Sequence, residues 1–583
     1  MIRRFLQSAG ITAIPVMTVC VFVPWLIYSG NPTEFTASFL ELLSTYASYM
    51  LAIVAISGVL GIVMTNTGLR SYLAVMSALA ILLWLQGNIL VWDYGALDGR
   101  SIEWLSGVWR GVLDSAIWIF VILSAIHLHK GKTRSAWQGA LAVFAIQSIA
   151  AGISLAGNDS ALVTRSDVTG TIEAKEAVFR FSKTRNVVHI VMDGFQSDIF
   201  SAIMNDPAHV AYKDELQGFT FFQDNLGIFP YTQMTIPAML SGNVYRNHMP
   251  VDEFINSSMA DVNILDVATD AGFEVDIAAP VSLKNVYAKA KHANAYGISR
   301  SDHVTPADYI ISDAARLLDL SLFRVLPHFA KALIHRDDLW VFQARVRPDN
   351  YLQMQYFSDL AFIRGLTQGL RVDRQTPVYK MMHFMLSHKP TVGDENCEYS
   401  GRQPTDRESV TIQANCGLKA IAGLLARMKE AGIYDNSLII LMADHGAWVP
   451  VEGIDASNSP DGIEAMTVAM AIPLLAIKRP GEAHEFRVSR AQVSILDVPA
   501  TVAEVLGFEG ESLGTSVFSV DPAATRQRLH YDYLSAPNKR HKGYLLPIQE
   551  FVVDGNVYDA ASWRPGRRFL AENVVVEADS GRR

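Results

Sequence analysis

Four side chains, far apart along the chain, have the types and settings to build one reactive centre: Asp193, Thr235, Asp444 and His445. Thr235 lies in YTQMTIPAMLSG, Tyr231 to Gly242, two residues ahead of Pro237. A proline at the first turn of a helix fixes its entry without losing a needed N–H, so the spacing predicts a helix start there. A hydroxyl at that point meets the partial positive charge of the helix terminus, which suits phosphate. Threonine is a weak nucleophile until a base or a metal lowers its pKa, and the other three residues offer the ligands. Asp193 follows the β-branched run NVVHIVM, and Asp444–His445–Gly446 follows the apolar run LIILM. Ligands bind at the C-terminal ends of parallel strands, and a carboxylate beside an imidazole suits Zn2+ or Mn2+. Thr232 is a rival hydroxyl that lacks the x-Pro and the predicted helix start. For Asp193 the alternative is a plain turn, and His189, in mid-strand, reads as core.

Further positions read as substrate contacts. VYKMMHFMLSHKP, Val378 to Pro390, predicts a strand running into His383, His388 and Lys389. A histidine and a lysine at a strand exit suit an anion or a second metal. His388, at the polar exit, is preferred, and for His383 a place in the strand core is the alternative. Asn225, at the exit of GFTFFQDN, is a candidate donor to a phosphoryl oxygen, although a structural turn is the preferred role. Of the three cysteines, Cys20 lies in an apolar run. Cys397 and Cys416 lack CxxC spacing; on an exported domain they pair as a disulfide, and otherwise stay free thiols.

The elements that position these residues fall into two halves. At 583 residues the chain exceeds one domain. Half of it is hydrophobic and only 18% charged, a skew confined to residues before 158. Five apolar runs there, near 10–30, 41–64, 71–92, 112–129 and 135–157, each approach the ~20 residues that cross a bilayer. Arg3, Arg4, Arg70, Lys130, Lys132 and Arg134 flank one side, against Arg100 and Arg110 on the other. That bias predicts a cytoplasmic N-terminus, and an odd number of spans exports the rest. The loop DYGALDGRSIEWLSGVWRG sets Trp92, Trp104 and Trp109 near the interface. A net charge of −9 without a basic aromatic stripe argues against nucleic acid.

Residues 158–185 read as a linker. Residues 186–583 read as the outer domain, with a core at 186–518 and an extension at 519–583 of short strands and a loose basic tail. Within it, VNILDVATDAGFEVDIAAP predicts helix, Gly stop and strand. The amphipathic stretch 305–345 predicts helix, packed on the domain or lying on the membrane surface.

In order, VMDGFQSD, TIPAMLSG, HFMLSHKP, YDNSLIILMADHG, IPLLAIKRPG and VSILDVPATVAEVLGFEGESLGTS resemble the alkaline phosphatase superfamily, in its sulfatase-like branch, over about 186–518. The resemblance implies an α/β domain around a central, mostly parallel sheet, which follows the five transmembrane helices that the apolar runs predict. It implies a covalent intermediate on Thr235, metal held by Asp193, Thr235, Asp444 and His445, and a substrate or second-metal role for His388. The architecture resembles lipoteichoic acid synthase and the lipid A phosphoethanolamine transferases. By that likeness it implies transfer of a phospholipid head group, ethanolamine phosphate or glycerol phosphate, to an envelope glycan or glycolipid outside a bacterial-type inner membrane, with a periplasmic phosphodiesterase, phosphatase or sulfatase as the alternative. Two departures are visible. Sulfatases carry C/S-x-P-x-R, where this chain has Thr235-Ile-Pro-Ala-Met239. The transferases have a second histidine soon after DHG, where here the next is His484.

Overall fold

The computed structural model describes residues 1–583 except 32–34, 36, 95–101, 103, 129–132, 157–173, 261, 281–282, 284–285, 288, 291–292, 299–305, 337–339, 347–354, 455–462, 509–513, 536–542 and 578–583. Most of the expected linker, much of the Trp92–Trp109 loop and the basic tail lie outside the described residues. Two compact units form, one from 1–168 with 304–350, the other from 169–303 with 351–583.

The first unit is helical. Its described residues include five helices long and apolar enough to cross a membrane: Ile2–Gly30, Phe39–Val63, Asn66–Asn88, Val108–His127 and Trp137–Ala156. Large apolar side chains such as Leu51, Phe120 and Ile153 point outward, as expected of faces that meet lipid. Without a hydrophobic drive between helices in lipid, close packing and hydroxyl pairing take over. A Cβ on Gly61 would lie 2.5 Å from Ser8 Cβ, and Thr12 Oγ1 lies 2.6 Å from both Ser57 Oγ and Tyr72 Oη. The helices Pro306–Val325, His328–His335 and Val341–Val346 also belong to this unit. This corrects the assignment of 305–345 to the outer domain: Ala314 and Leu317 share a core with Trp25, Tyr28 and Phe39, and Ser321 donates to the Val19 carbonyl at 2.6 Å.

The second unit is α/β. Its main sheet comprises β1 (Asn186–Met192), β2 (Thr220–Phe222), β3 (Glu274–Pro280), β4 (Asn294–Ile298), β5 (Val378–Phe384), β6 (Ser437–Met442), β7 (Leu475–Lys478) and β8 (Arg487–Ser489). The spatial order is β8-β2-β7-β6-β1-β5-β3-β4. From β6 to β4 every pairing is parallel, while β7 runs antiparallel to β6 and β2. The central strands are buried on both faces, which is why they read as continuous apolar runs. One face packs a layer including helix Arg407–Glu430, the other a layer including helix Thr232–Ser241. Strands Gln527–Asp532, Ile548–Asp554, Trp563–Leu570 and Val574–Val576 make a separate antiparallel sheet. Cys397 and Cys416 are bonded to each other.

Candidate active site

Strands β6, β1 and β5 are neighbours, and their C-terminal ends meet at one place. Side chains alternate across a strand. Val191 on β1, Met381 on β5 and Met442 on β6 share one core layer. Asp193, His383 and Asp444 each fall two residues further on and therefore emerge on that face. The chain stays extended at these exits, with Asp193 N–H bonded to the Phe384 carbonyl at 2.8 Å and Ala443 N–H to the Leu474 carbonyl at 2.9 Å. Gly446 is required sterically, because a Cβ there would lie 1.8 Å from the Ala469 carbonyl oxygen. Gly194 turns the chain after Asp193 at φ +70°.

Five side chains then converge. His383 Nε2 lies 3.2 Å from Asp193 Oδ2, and His445 Nε2 lies 3.3 Å from Asp193 Oδ1 and 3.6 Å from Asp444 Oδ2. His388 Nε2 stands 4.0 Å from Asp193 Oδ1. Two overlapping trios, Asp193–His388–His445 and Asp193–His383–Asp444, each keep their ligand atoms within 4.8 Å of one another.

A cation fits this donor set. Among the described residues Asp193 Oδ1 and Asp444 Oδ2 are buried and have no hydrogen-bond partner, an arrangement that is costly unless something positive sits between them. The ring tautomers agree. His445 Nδ1 faces the Gly446 carbonyl at 2.8 Å and His388 Nδ1 faces the Lys389 carbonyl at 2.6 Å. A carbonyl only accepts, so Nδ1 carries the proton, and in the neutral ring Nε2 turns a lone pair toward the carboxylates. Lone pairs aimed at carboxylate oxygens are a metal site's signature. His383 differs. Its Nδ1 lies 2.7 Å from Tyr287 Oη, and burial together with the Asp444 and Asp193 carboxylates pushes the Tyr287 phenol well above its ordinary pKa. The phenol keeps its proton and donates it to His383 Nδ1, which leaves His383 Nε2–H to donate to Asp193. Burial alone raises the Asp193 pKa, but His388, His383 and His445 together hold it below the usual carboxylate range. Burial lowers the His388 pKa, with the Asp193 carboxylate opposing, so that ring is neutral near pH 7.

The hydroxyl at this centre is that of Thr232. Its Oγ1 lies 3.2 Å from Asp193 Oδ2 and 3.4 Å from His445 Nε2. This corrects the expectation for Thr235, whose Oγ1 donates to the Phe229 and Tyr231 carbonyls at 3.2 and 3.1 Å and is fully buried. The helix begins at Thr232, and Pro237 lies inside it rather than in its first turn. Asn225 is also corrected: its amide donates to the Pro473 carbonyl at 2.9 Å, which makes it a strand-end brace. Lys389 is exposed, with Nζ 3.8 Å from the Trp448 ring centroid. Trp448 also packs on His388 and His445, with centroids 5.0 and 5.4 Å apart, and walls the open side. His189 is core as read, bonded to Tyr379 Oη at 2.8 Å. The amino-acid sequence held no sign of Tyr287 or Trp448 and favoured His388 over His383. Only His383 carried a signal, its alternation with Tyr379 and Met381 toward the Asp193 face.

The family model for the sulfatases matches residues 185–508, more than half of the chain. The chain belongs to the sulfatase family. As expected, it thus falls in the alkaline phosphatase superfamily. A search of curated proteins found no match for this sulfatase-family chain. Solved structures similar to it include the phosphonate monoester hydrolase SpPMH from Silicibacter pomeroyi, at 15% identity and TM-score 0.36, covering 68% of this chain and 90% of that one. The lipoteichoic acid synthase LtaP from Listeria monocytogenes is similar at 9% identity and TM-score 0.38, covering 71% and 93%. The C-terminal periplasmic domain of EcEptC from Escherichia coli is similar at 12% identity and TM-score 0.34, covering 68% and 93%.

Proposed function

We propose that this chain is a membrane-anchored phosphotransferase that carries a phospholipid head group on Thr232 and passes it to an envelope glycan or glycolipid. The observation that carries this reading is the Thr232 hydroxyl, set at a helix N-terminus within 3.4 Å of both Asp193 and His445. Asp193, His388, Asp444 and His445 would hold the divalent ion, with His383 and Tyr287 orienting Asp193. When bound, Zn2+ or Mn2+ lowers the pKa of a nearby hydroxyl and draws charge from phosphoryl oxygens.

Thr232 Oγ1 forms a bond to phosphorus as the bond to the diacylglycerol oxygen breaks. The proton from Thr232 passes by way of the neighbouring carboxylate to the departing oxygen. In the second step a sugar hydroxyl attacks the same phosphorus and the bond to Thr232 breaks. The incoming hydroxyl's proton passes by way of the same carboxylate to Thr232 Oγ1, the oxygen that leaves phosphorus. The first-turn N–H groups of helix Thr232–Ser241 favour the phosphoryl charge. Sulfate ester cleavage in the manner of C/S-x-P-x-R enzymes has no support here, because Thr235 is tied to two carbonyls and Met239 stands where that motif has Arg.

The five apolar helices serve as the anchor, and the basic residues at Arg3, Arg4 and Arg70 hold the N-terminus in the cytoplasm. The Cys397–Cys416 disulfide accords with an exported, periplasmic catalytic unit. Mass spectrometry of protein incubated with phospholipid tests the reading. A head-group phosphate adduct is expected on Thr232, absent from Thr232→Ala and retained in Thr235→Val. An adduct on Thr235, or turnover surviving Thr232→Ala, would refute it. Free head-group phosphate as sole product would make the enzyme a hydrolase.

A further inference from the structure

The helical unit contains a cavity of about 630 Å3 that the catalytic centre does not explain. It lies where Ile2–Gly30 and Asn66–Asn88 end on the same side: Ile27 and Asn31 line it from the first, and Trp92 and Tyr94, just past the end of the second, line it too. Three cations face it, Arg316, Arg324 and Lys331, against one carboxylate, Asp93.

Among the described residues these cations are not spent on salt bridges. Lys331 is only 3% exposed. Its ammonium donates to the Phe323 carbonyl and to the Arg324 carbonyl at 3.1 Å, and lies 5.7 Å from the Tyr94 ring centroid. Burial pulls its pKa down to about 7, with Asp114 opposing and Arg324 adding to the fall. Among the described residues Arg324 spends only Nε, on the Gly87 carbonyl at 3.0 Å. Arg316 makes no hydrogen bond or ion pair among the described residues. Cations gathered in a recess without matching carboxylates are expensive unless an anion visits.

The wall opposite is built to last. Trp92 donates its indole N–H to buried Asp114 at 3.0 Å, and Tyr94 Oη lies 2.8 Å from His328 Nδ1. Asp114 also accepts the His328 backbone N–H at 2.9 Å, so one carboxylate braces both aromatic residues. Ile27, Phe35 and Leu320 supply an apolar remainder. A site for a free anion needs no such apolar wall, and a slot for a hydrocarbon needs no cations. Trp and Tyr also favour the level of lipid head groups.

We infer that this cavity binds a glycerophospholipid, its phosphate diester held by Arg316, Arg324 and Lys331 and its glycerol end lying against Ile27, Phe35 and Leu320. Nothing in this site depends on Thr232 chemistry, so binding can be read apart from turnover. Native mass spectrometry of the full chain in detergent, stripped of divalent metal and titrated with dioleoylphosphatidylglycerol, tests it. One saturable lipid is expected, with Thr232→Ala binding it equally well. Arg316→Glu combined with Arg324→Gln should weaken binding about ten-fold, with the variant's melting temperature as folding control. Should the pair misfold, Arg316→Ala alone, at a half-buried position, is expected to weaken binding about three-fold. Equal affinity for dioleoylglycerol would make the cavity a plain hydrophobic slot. Displacement of the lipid by millimolar inorganic phosphate would make it a free-anion site. Either result, or unchanged affinity in the charge variants, overturns the inference.

Discussion

Thr232 and Thr235 are three residues apart, and their different fates follow from position in one helix. Thr232 is the first helical residue, so its side chain leaves the helix end toward Asp193 and His445. Thr235 sits one turn in and bonds back to the Tyr231 carbonyl four residues earlier, the usual satisfaction of a mid-helix hydroxyl. Thr232→Ala should therefore lower the transfer rate by about 10^4-fold or more without changing bound metal. Thr235→Val should keep that rate and lose about 1 kcal/mol of stability, measured by thermal melting. Asp444→Asn bears on the cation itself. Chelation should lower the wild-type melting temperature, and added Zn2+ or Mn2+ should restore it. In Asp444→Asn both responses should shrink, and metal analysis of the purified variant should find less ion per chain.

At the scale of elements, the strands place the ligands and their interiors carry the pH sensitivity. His189 lies within β1, fully buried, with its pKa lowered to about 3 by burial and then by the neighbouring His383. Folded β1 keeps this ring neutral, while an unfolded chain protonates it near pH 6.5. Between about 6.5 and 3 the unfolded state binds more protons, so stability falls as pH falls through that window and levels off below it. Denaturant melts at stepped pH should show this slope, and His189→Gln should flatten it. A wild-type slope no steeper than the variant's would count against a neutral buried ring. The disulfide closes a loop across 19 residues of separation between the β5 exit and helix Arg407–Glu430. Reducing it should cost about 3 kcal/mol, seen as a lower melting temperature under thiol reductant.

At the scale of the whole molecule, the chain divides unevenly along its length. The segment 304–350 leaves the sequence of the α/β unit and joins the helical one, where Asp319 accepts the N–H groups of Val341, Phe342 and Gln343 at 2.9–3.2 Å and seats the last short helix. Orientation is testable at this scale. Ala561 and Ile2 are both exposed, one in the α/β unit and one at the N-terminus. If the charge bias sets the N-terminus inside with five spans, an impermeant thiol-reactive probe added from outside in a Cys20→Ser background should label Ala561→Cys and leave Ile2→Cys unlabelled. The reverse pattern would contradict the charge-bias argument.

The amino-acid sequence alone determined what local pattern can carry. Apolar length marked the five long helices, a β-branched run marked β1, an apolar run marked β6, VYKMMHF read as the strand β5, and Asp193 and Asp444–His445 announced themselves by standing just past strand ends. Only the tertiary structure decided between neighbours that local pattern treats alike. It chose Thr232 over Thr235 because the helix starts five residues before Pro237, and helix starts are set by packing as much as by proline. It set His383 beside Asp193 because β5 lies beside β1, a pairing made across nearly two hundred residues. It gave 304–350 to the helical unit, since an amphipathic face says that something must cover it but not what.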